Sequence, residues 1–463
     1  MSGSPATVVA QGATTTGTVR GTVRGPAGKL LTDATVIATN QETGVRRAIV
    51  TRSGGEYRLG FLDPGLYTIK AQIIGYRPVQ TPNVRVALGG IEKLDFELTE
   101  AATQLSTVKV TAEIAPLLET NKTGANTRIG SDQIAALPLN GRNYRDLVKL
   151  TPGVSDVGAS GSGGGQSVGG GRTGASNILM DGTNNNEGFF GGDARGGDRA
   201  PFSYSVETVR EIQVITNAVD VEIGSFTGGA VNAVTKSGTN KWSGVTWMYG
   251  RADKLFGYNG TGVDFLGRNP TNFERQQYGF QFSGPLIKDK FHFLINFERQ
   301  TGYDPRLVLV NPDRTDKSIR ASGINPDTLA NFFNIAQRVY GLNLAGEAGS
   351  KVSNSDESAV FARLDWQLND VHHFTMRVNA SRTNISNDRL FISPTSTELT
   401  SNAGDNTDRS TSGVFAWTAA WKHYSNEFRA QYATVRKPRA PRTTRRSSAT
   451  RSRRSASTTS TRS

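Results

Sequence analysis

The sequence predicts a mainly β fold in three successive parts: an N-terminal β-sandwich, a central α+β segment and an incomplete antiparallel β-barrel. Three observations carry this expectation. Short alternating runs broken by Gly and Pro turns fill residues 17–99, glycine-rich strand-and-turn motifs with two short helical stretches fill 121–240, and period-two segments fill 241–435. With 36% hydrophobic residues and 52 glycines in 463, the chain is turn-rich, which favours β-structure over a packed helical enzyme.

In the first part, Thr35, Ile37 and Thr39 alternate with Val36, Ala38 and Asn40, and Tyr57–Leu59 and Leu66–Ala71 add further strips. Turns fall at Pro26-Ala27-Gly28, Glu42-Thr43-Gly44, Ser53-Gly54-Gly55 and Asp63-Pro64-Gly65. Strands at this close spacing suggest a sandwich. Tyr57, Tyr67 and Tyr76 read first as core and turn residues, with sugar stacking as the alternative. No acid, base or nucleophile converges here.

The middle part opens with a β-prone strip, Thr107, Val108, Lys109, Val110 and Thr111, inside a linker over 100–120. Such a strip can add to the edge of another protein's sheet through main-chain hydrogen bonds. Ser131-Asp132 are expected to cap a helix through Leu137, stopped by Pro138. In the next helix Tyr144, Leu147, Val148 and Leu150 are expected on one face, before Pro152-Gly153. The run GASGSGGGQSVGGGRTGASN is not a phosphate cradle, because no Lys-Ser or Lys-Thr follows and it leads into a strand, Asn177–Met180.

The third part alternates most clearly. Tyr278, Phe280 and Phe282 oppose Gln277, Gly279, Gln281 and Ser283. Phe291, Phe293, Ile295 and Phe297 oppose His292, Asn296 and Glu298, with Leu294 an exception. Val360, Ala362, Leu364, Trp366 and Leu368 oppose Phe361, Arg363, Asp365 and Gln367, and the pattern recurs at Phe374–Val378, Phe415–Trp421 and Phe428–Tyr432. An apolar outside and a polar inside suit a water-filled barrel in lipid. Short turns at 284–291 and 368–372 alternate with a long connection over 302–355, as barrels of this kind have. No run approaches the ~18 apolar residues of a membrane helix.

Four blocks in order, LPLNGRNYRDLVKLTPGV, NILMDGTNNN, VREIQVITNAVDVEIGSFTGGAVNAV and TKSGTNKWSG, resemble the plug of TonB-dependent outer-membrane receptors, in particular the Oar-like group. The segment before them, with G-x-V-x-G, G-x-Y-x-L and L-x-P-G-x-Y, resembles the carboxypeptidase regulatory-like family. The resemblance implies a leader or signal remnant (1–16), a regulatory-like sandwich (17–99), a linker (100–120), a plug (121–240) and the first third of an outer-membrane barrel (241–435). It further implies that residues 107–111 are the TonB box, that the inner-membrane TonB complex, outer-membrane lipid and an unidentified extracellular ligand are partners, and that Arg172, Asp181, Asn184, Asn185 and Asn186 line the ligand site. For those last residues, turn formation is the competing reading.

A receptor of this family has about 22 strands. About seven candidates precede residue 436, so the expectation is a truncated receptor. The basic tail 436–463 holds about ten of the net +13 charges and breaks off mid-pattern, as an out-of-frame end does. Two other readings stay open: a carbohydrate-binding cell-surface module on a β scaffold, and a nucleic-acid-binding protein whose tail grips phosphates without sequence specificity. With no cysteine and four histidines (His292, His372, His373, His423) lacking ligand spacing, no metal, cofactor or catalytic residue is expected.

Overall fold

The computed structural model describes residues 15–100, 108–109, 126–137, 139, 142–157, 165–172, 175–186, 204–216, 228–252, 255, 273–308, 326–344, 349–388, 392–393, 396–397, 404–421 and 425–436. The basic tail beyond Arg436 and the first fourteen residues lie outside these.

The leader is a sandwich of β1 (Gly17–Arg24), β2 (Thr35–Asn40), β3 (Arg46–Val50), β4 (Glu56–Leu62), β5 (Gly65–Gln72), β6 (Val79–Val86), β7 (Ile91–Lys93), β8 (Phe96–Glu97) and β9 (Val108–Lys109). One sheet runs β4-β1-β7 with β8 also on β1, and the other runs β3-β2-β5-β6-β9. Their inner faces meet on Val19, Val36, Leu59, Tyr67, Ile69 and Phe96. Tyr57 donates its hydroxyl to Leu94 O (2.6 Å) and Tyr67 to Asp63 O (2.9 Å), so both phenols are satisfied inside the core. Each ring is only 4% exposed, which leaves neither a face for sugar stacking.

The middle unit, the expected plug, follows as β10 (Asn126–Gly130), α1 (Ser131–Ala136), α2 (Tyr144–Val148), β11 (Val154–Val157), β12 (Gly165–Val168), β13 (Asn177–Met180), β14 (Thr183–Asn184), β15 (Val209–Ile215) and β16 (Ala230–Thr235). Its main sheet has the order β10-β15-β16-β13-β14, with β13 parallel to β16. The cap of α1 is Gly130, not Ser131. Its N–H donates to the Gln133 side-chain oxygen at 3.2 Å, and Leu137 is already extended, as a residue before proline must be. Asn143 caps α2 by accepting from Arg145 N (3.0 Å). Tyr144, Leu147 and Val148 are buried as expected, but the helix stops at Val148, so Leu150 turns out into solvent.

The third unit is a seven-stranded antiparallel wall in the order β17-β18-β19-β20-β21-β24-β25. Its members are β17 (Ser243–Ala252), β18 (Glu274–Ile287), β19 (Phe291–Val308), β20 (Gly349–Gln367), β21 (His372–Asp388), β24 (Gly404–Ala420) and β25 (Ser425–Arg436), with α3 (Pro326–Tyr340) and the small hairpin β22 (Ile392–Ser393) and β23 (Ser396–Thr397) in connections. The wall is built inside out. Val360, Leu364 and Trp366 are exposed, whereas Arg363, Asp365 and Gln367 between them are buried. Period two is therefore read correctly as an apolar outside, but the polar inside is not all water-filled, because much of it packs on the plug.

Two departures from expectation have separate causes. Leu294, out of step in the alternation, points inward with Phe361 and joins the plug core around Tyr204, Val206 and Ile212. The connection expected over 302–355 is shorter, since β19 runs on to Val308 and β20 starts at Gly349. Above the apolar band both faces are polar, so hydrophobic periodicity fades while the backbone ladder continues.

Phe361→Ala is expected to weaken plug seating by about 3–5 kcal/mol, whereas Leu364→Ala, three residues on and facing outward, leaves it nearly unchanged. A urea titration scored by proteolysis of the plug separates the two. Equal effects would sink the assignment of the faces.

Candidate functional site on the inner wall

The plug meets the wall through two ionic clusters. The first grows from LNGRN. Arg142 sits at φ 53°, in the left-handed region that non-glycine residues rarely occupy. From there its guanidinium reaches Glu207 at 2.6 Å and the wall residue Glu298 at 3.4 Å. It also lies over the rings of Trp247 (4.9 Å) and Tyr249 (5.3 Å) on β17. Glu298 is fully buried and accepts from Gln277 Nε2 (2.6 Å) and from the Ser205 hydroxyl.

The second cluster centres on Asp181, in the turn between β13 and β14 and again left-handed (φ 48°). Its carboxylate accepts from Thr235 N (2.7 Å) and Thr235 Oγ1 (2.9 Å), which ties the turn to the end of β16. Two wall arginines complete it: Arg377 at 2.9 Å and Arg363 at 3.9 Å. Arg363 is itself held by a bidentate pair with Asp365 (2.8 and 2.9 Å) and donates to Thr235 O (3.0 Å). Arg377 donates to Met180 O (2.8 Å) and Thr183 Oγ1 (2.7 Å), and Arg429 to Asp181 O (2.8 Å). Two carboxylates thus face two deeply buried guanidiniums, so no charge in the core of the cluster is left unmatched.

The expected ligand residues fall partly within this anchorage. Asp181 is committed to the wall. Asn186 Oδ1 accepts from Ile178 N (2.8 Å) and its amide donates to Asn177 Oδ1 (2.7 Å). Asn184 Oδ1 accepts from Asn186 N (2.8 Å) and Asn185 is buried. These three asparagines lie at the end of β14 and just after it, where Asn186 ties the chain back to β13. Arg172 is exposed and stands apart. Sequence reasoning passed over Arg142, Glu298, Arg363 and Arg377. The available signal was the pair Arg363-x-Asp365 on the inward face of a strand, where water alone needs no such matching.

Of the strip 107–111, Val108 and Lys109 are described, and they pair in parallel with Val79 and Gln80 at the free edge of the leader sheet. Thr107, Val110 and Thr111 lie outside the described residues. The leader also grips the rest of the chain. Arg47 donates to Val371 O (3.1 Å) and Thr418 Oγ1 (2.7 Å) at the short-turn end of the wall, and Arg210 pairs with Glu42 at 2.8 Å. Leu88 N donates to Glu211 Oε1 (3.4 Å), with Arg128 3.9 Å from the same carboxylate. Burial pushes Glu211 above the ordinary 4.5 of a glutamate, and Arg128 pulls it only partly back. Glu92 of the leader is raised for the same reason. Among the described residues no group of His, Asp and Glu forms a metal site.

Residues 18–99 match the carboxypeptidase regulatory-like domain, and residues 234–307 match the outer membrane beta barrel domain. The TonB-dependent transporter Oar of Myxococcus xanthus is 25% identical over 383 residues, covering 79% of this chain and 33% of that protein. The chain therefore spans about a third of the curated relative it matches. Among solved structures, the outer membrane transporter YddB from Escherichia coli aligns with a TM-score of 0.47 at 13% identity, covering 67% of this chain and 39% of that one. The siderophore receptor PirA from Acinetobacter baumannii aligns at 0.45 and 18%, covering 68% and 40%. The chain is mainly β, carries a regulatory-like domain and outer-membrane barrel strands, is related to a TonB-dependent transporter, and is assigned to the outer membrane of a Gram-negative-type bacterium.

Arg377→Met leaves Asp181 without its nearer cation and should loosen the plug by about 3–5 kcal/mol. The chain has no native cysteine, so a single Met180→Cys label reports it: faster thiol modification in the Arg377→Met background is the expected result. A second expectation concerns pH. A carboxyl whose folded value is raised adds stability below its ordinary value and loses that contribution as pH rises through the raised one. The melting temperature of the leader–plug contact should therefore fall from pH 5 towards neutrality, and Glu211→Gln should flatten that fall.

Proposed function

We propose that the chain acts in energy-coupled uptake across the outer membrane, as the leader, coupling strip, plug and first wall strands of a TonB-dependent transporter. The observation that carries this reading is the plug seated on the inward face of the wall by Asp181 with Arg363 and Arg377, and by Arg142 with Glu298. Ion pairs hold a plug in place while remaining open to rearrangement as a unit. A hydrophobic seam of the same area offers less directional control.

In this reading Thr107–Thr111 is the coupling segment for the inner-membrane TonB complex. Its main-chain groups add as a strand to that partner, which requires the strip to leave the β6 edge first. The domain boundaries at 16, 99, 120, 240 and 435 follow from the same proposal. Arg172, exposed beside the plug's glycine turns, is the candidate contact for an unidentified extracellular ligand, and Asp181 and Asn184–Asn186 position that surface from beneath. Nothing in the mechanism calls for a catalytic step, a cofactor or a specific nucleic acid.

The test is capture of the purified periplasmic domain of the energy transducer. The full chain should retain it, and Val108→Pro, which removes a ladder N–H and fixes φ, should reduce retention at least tenfold. Retention unchanged by Val108→Pro would remove the strip from the coupling role.

A further inference from the structure

The outward face of the wall carries an apolar band that ends at one register row. On β19 the band runs from Phe291 to Phe297 and gives way to Arg299. Cross-strand pairing continues that row as Tyr278, Arg299, Ser358, Arg382, Arg409 and Arg436 on six neighbouring strands. Eight steps of strand at about 3.4 Å each, tilted by about 40° as barrel strands are, cover about 21 Å of depth, most of the roughly 25 Å of an apolar band. The row thus sits at the membrane boundary, on the side of the long connection that holds α3 and away from the short turns at 288–290 and 369–371.

The arginines in it differ in one respect. Arg299 is neutralised by Asp356 through two bonds of 3.0 and 3.2 Å. Arg382 has only the Asn384 carboxamide oxygen, at 3.3 Å, and neither it nor Arg409 has a carboxylate partner among the described residues. Directly opposed residues on adjacent strands stand about 5 Å apart, where like charges repel. Arg436 extends the same run on β25. Exposed cations placed side by side at the edge of a lipid-facing band are complementary to anions arranged in the plane of a leaflet. Guanidinium forks match phosphate oxygens in pairs.

We propose that Arg382 and Arg409, extended by Arg436, form a belt that binds the phosphate groups of lipid headgroups in the leaflet on the long-connection side. The belt rests on the reading of the wall as a membrane barrel. It concerns the protein's outer surface and is independent of the transported substrate.

The experiment inserts the full chain into phosphatidylcholine vesicles doped with a bis-phosphorylated glycolipid, or with the same glycolipid after removal of its phosphates. Glycolipid bound per chain is then measured by mass spectrometry across a salt series. The phosphorylated form should be retained selectively, and Arg382→Gln with Arg409→Gln should weaken retention on the order of thirtyfold and flatten its salt dependence. Should that variant fail to insert, Arg382→Lys with Arg409→Lys keeps the charge but not the fork, and an intermediate loss is expected. Equal retention of the dephosphorylated glycolipid, or retention insensitive to both double variants, overturns the belt. Displacement by millimolar inorganic phosphate as readily as by excess glycolipid overturns the lipid assignment. Failure of the unaltered chain to become protected by the vesicle overturns the reading of this seven-stranded wall as a membrane-inserting unit, an outcome distinct from the others.

Discussion

Asp181 is the point on which the arrangement turns. A carboxylate in a left-handed turn, taken almost out of water, is costly unless it is hydrogen-bonded and its charge is matched: the Thr235 amide and hydroxyl donate to it, and Arg377 at 2.9 Å and Arg363 at 3.9 Å balance its charge. These groups come from three residues, each with a different structural commitment. Thr235 ends the central plug strand β16, Arg363 faces inward from β20 in partnership with Asp365, and Arg377 also carries the carbonyl of Met180. One side chain therefore correlates the fold of the plug with the placement of two wall strands, β20 and β21, and its backbone carbonyl adds β25 through Arg429. The alternative of an apolar contact at the same place gives packing without this mutual specification.

Around that point the wall is divided by height. Near the short turns its inward face is closed by the plug, and Leu294 and Phe361 supply apolar contacts that an aqueous lumen has no use for. The outward face remains apolar over the same span, so these strands are covered on both sides. Further along, inward residues such as Gln300 and Glu357 are polar and the ladder continues without hydrophobic alternation. One antiparallel sheet thus presents a partly apolar interior at one end and a buried polar one at the other.

Much of this was legible in residues alone. Strict alternation at Val360–Leu368 gave the two faces, and Gly-Pro punctuation in 17–99 gave the sandwich, because both signals are local. Leu294 was visible as an anomaly but not interpretable, since its meaning lies in Tyr204 and Ile212, which are far away in the chain. The same holds for Arg142: LNGRN marks a turn, yet nothing nearby announces that the guanidinium reaches Glu298. The burial of Asn185 and the bracing role of Asn186 were hidden for the opposite reason, because asparagines in a polar run look alike whether they face a ligand or brace the backbone. Helix limits failed by a residue or two, at Gly130 and Val148, where capping geometry rather than apolar spacing decides.

The parallel seam between Val108–Lys109 and Val79–Gln80 has a mechanical meaning. It is two residues long, whereas β10 is held to β15 over five residue pairs and the Asp181 turn is pinned by buried ions. Tension entering the chain between the leader and the plug meets these connections in series, from the shortest to the most deeply anchored. The two-residue seam, being the shortest of these connections, is the one expected to part at the lowest force, which adds slack between the leader and β10. The leader stays fastened to the wall through Arg47 while this happens. The two attachments on either side of this linker thus differ in length, two residue pairs against five.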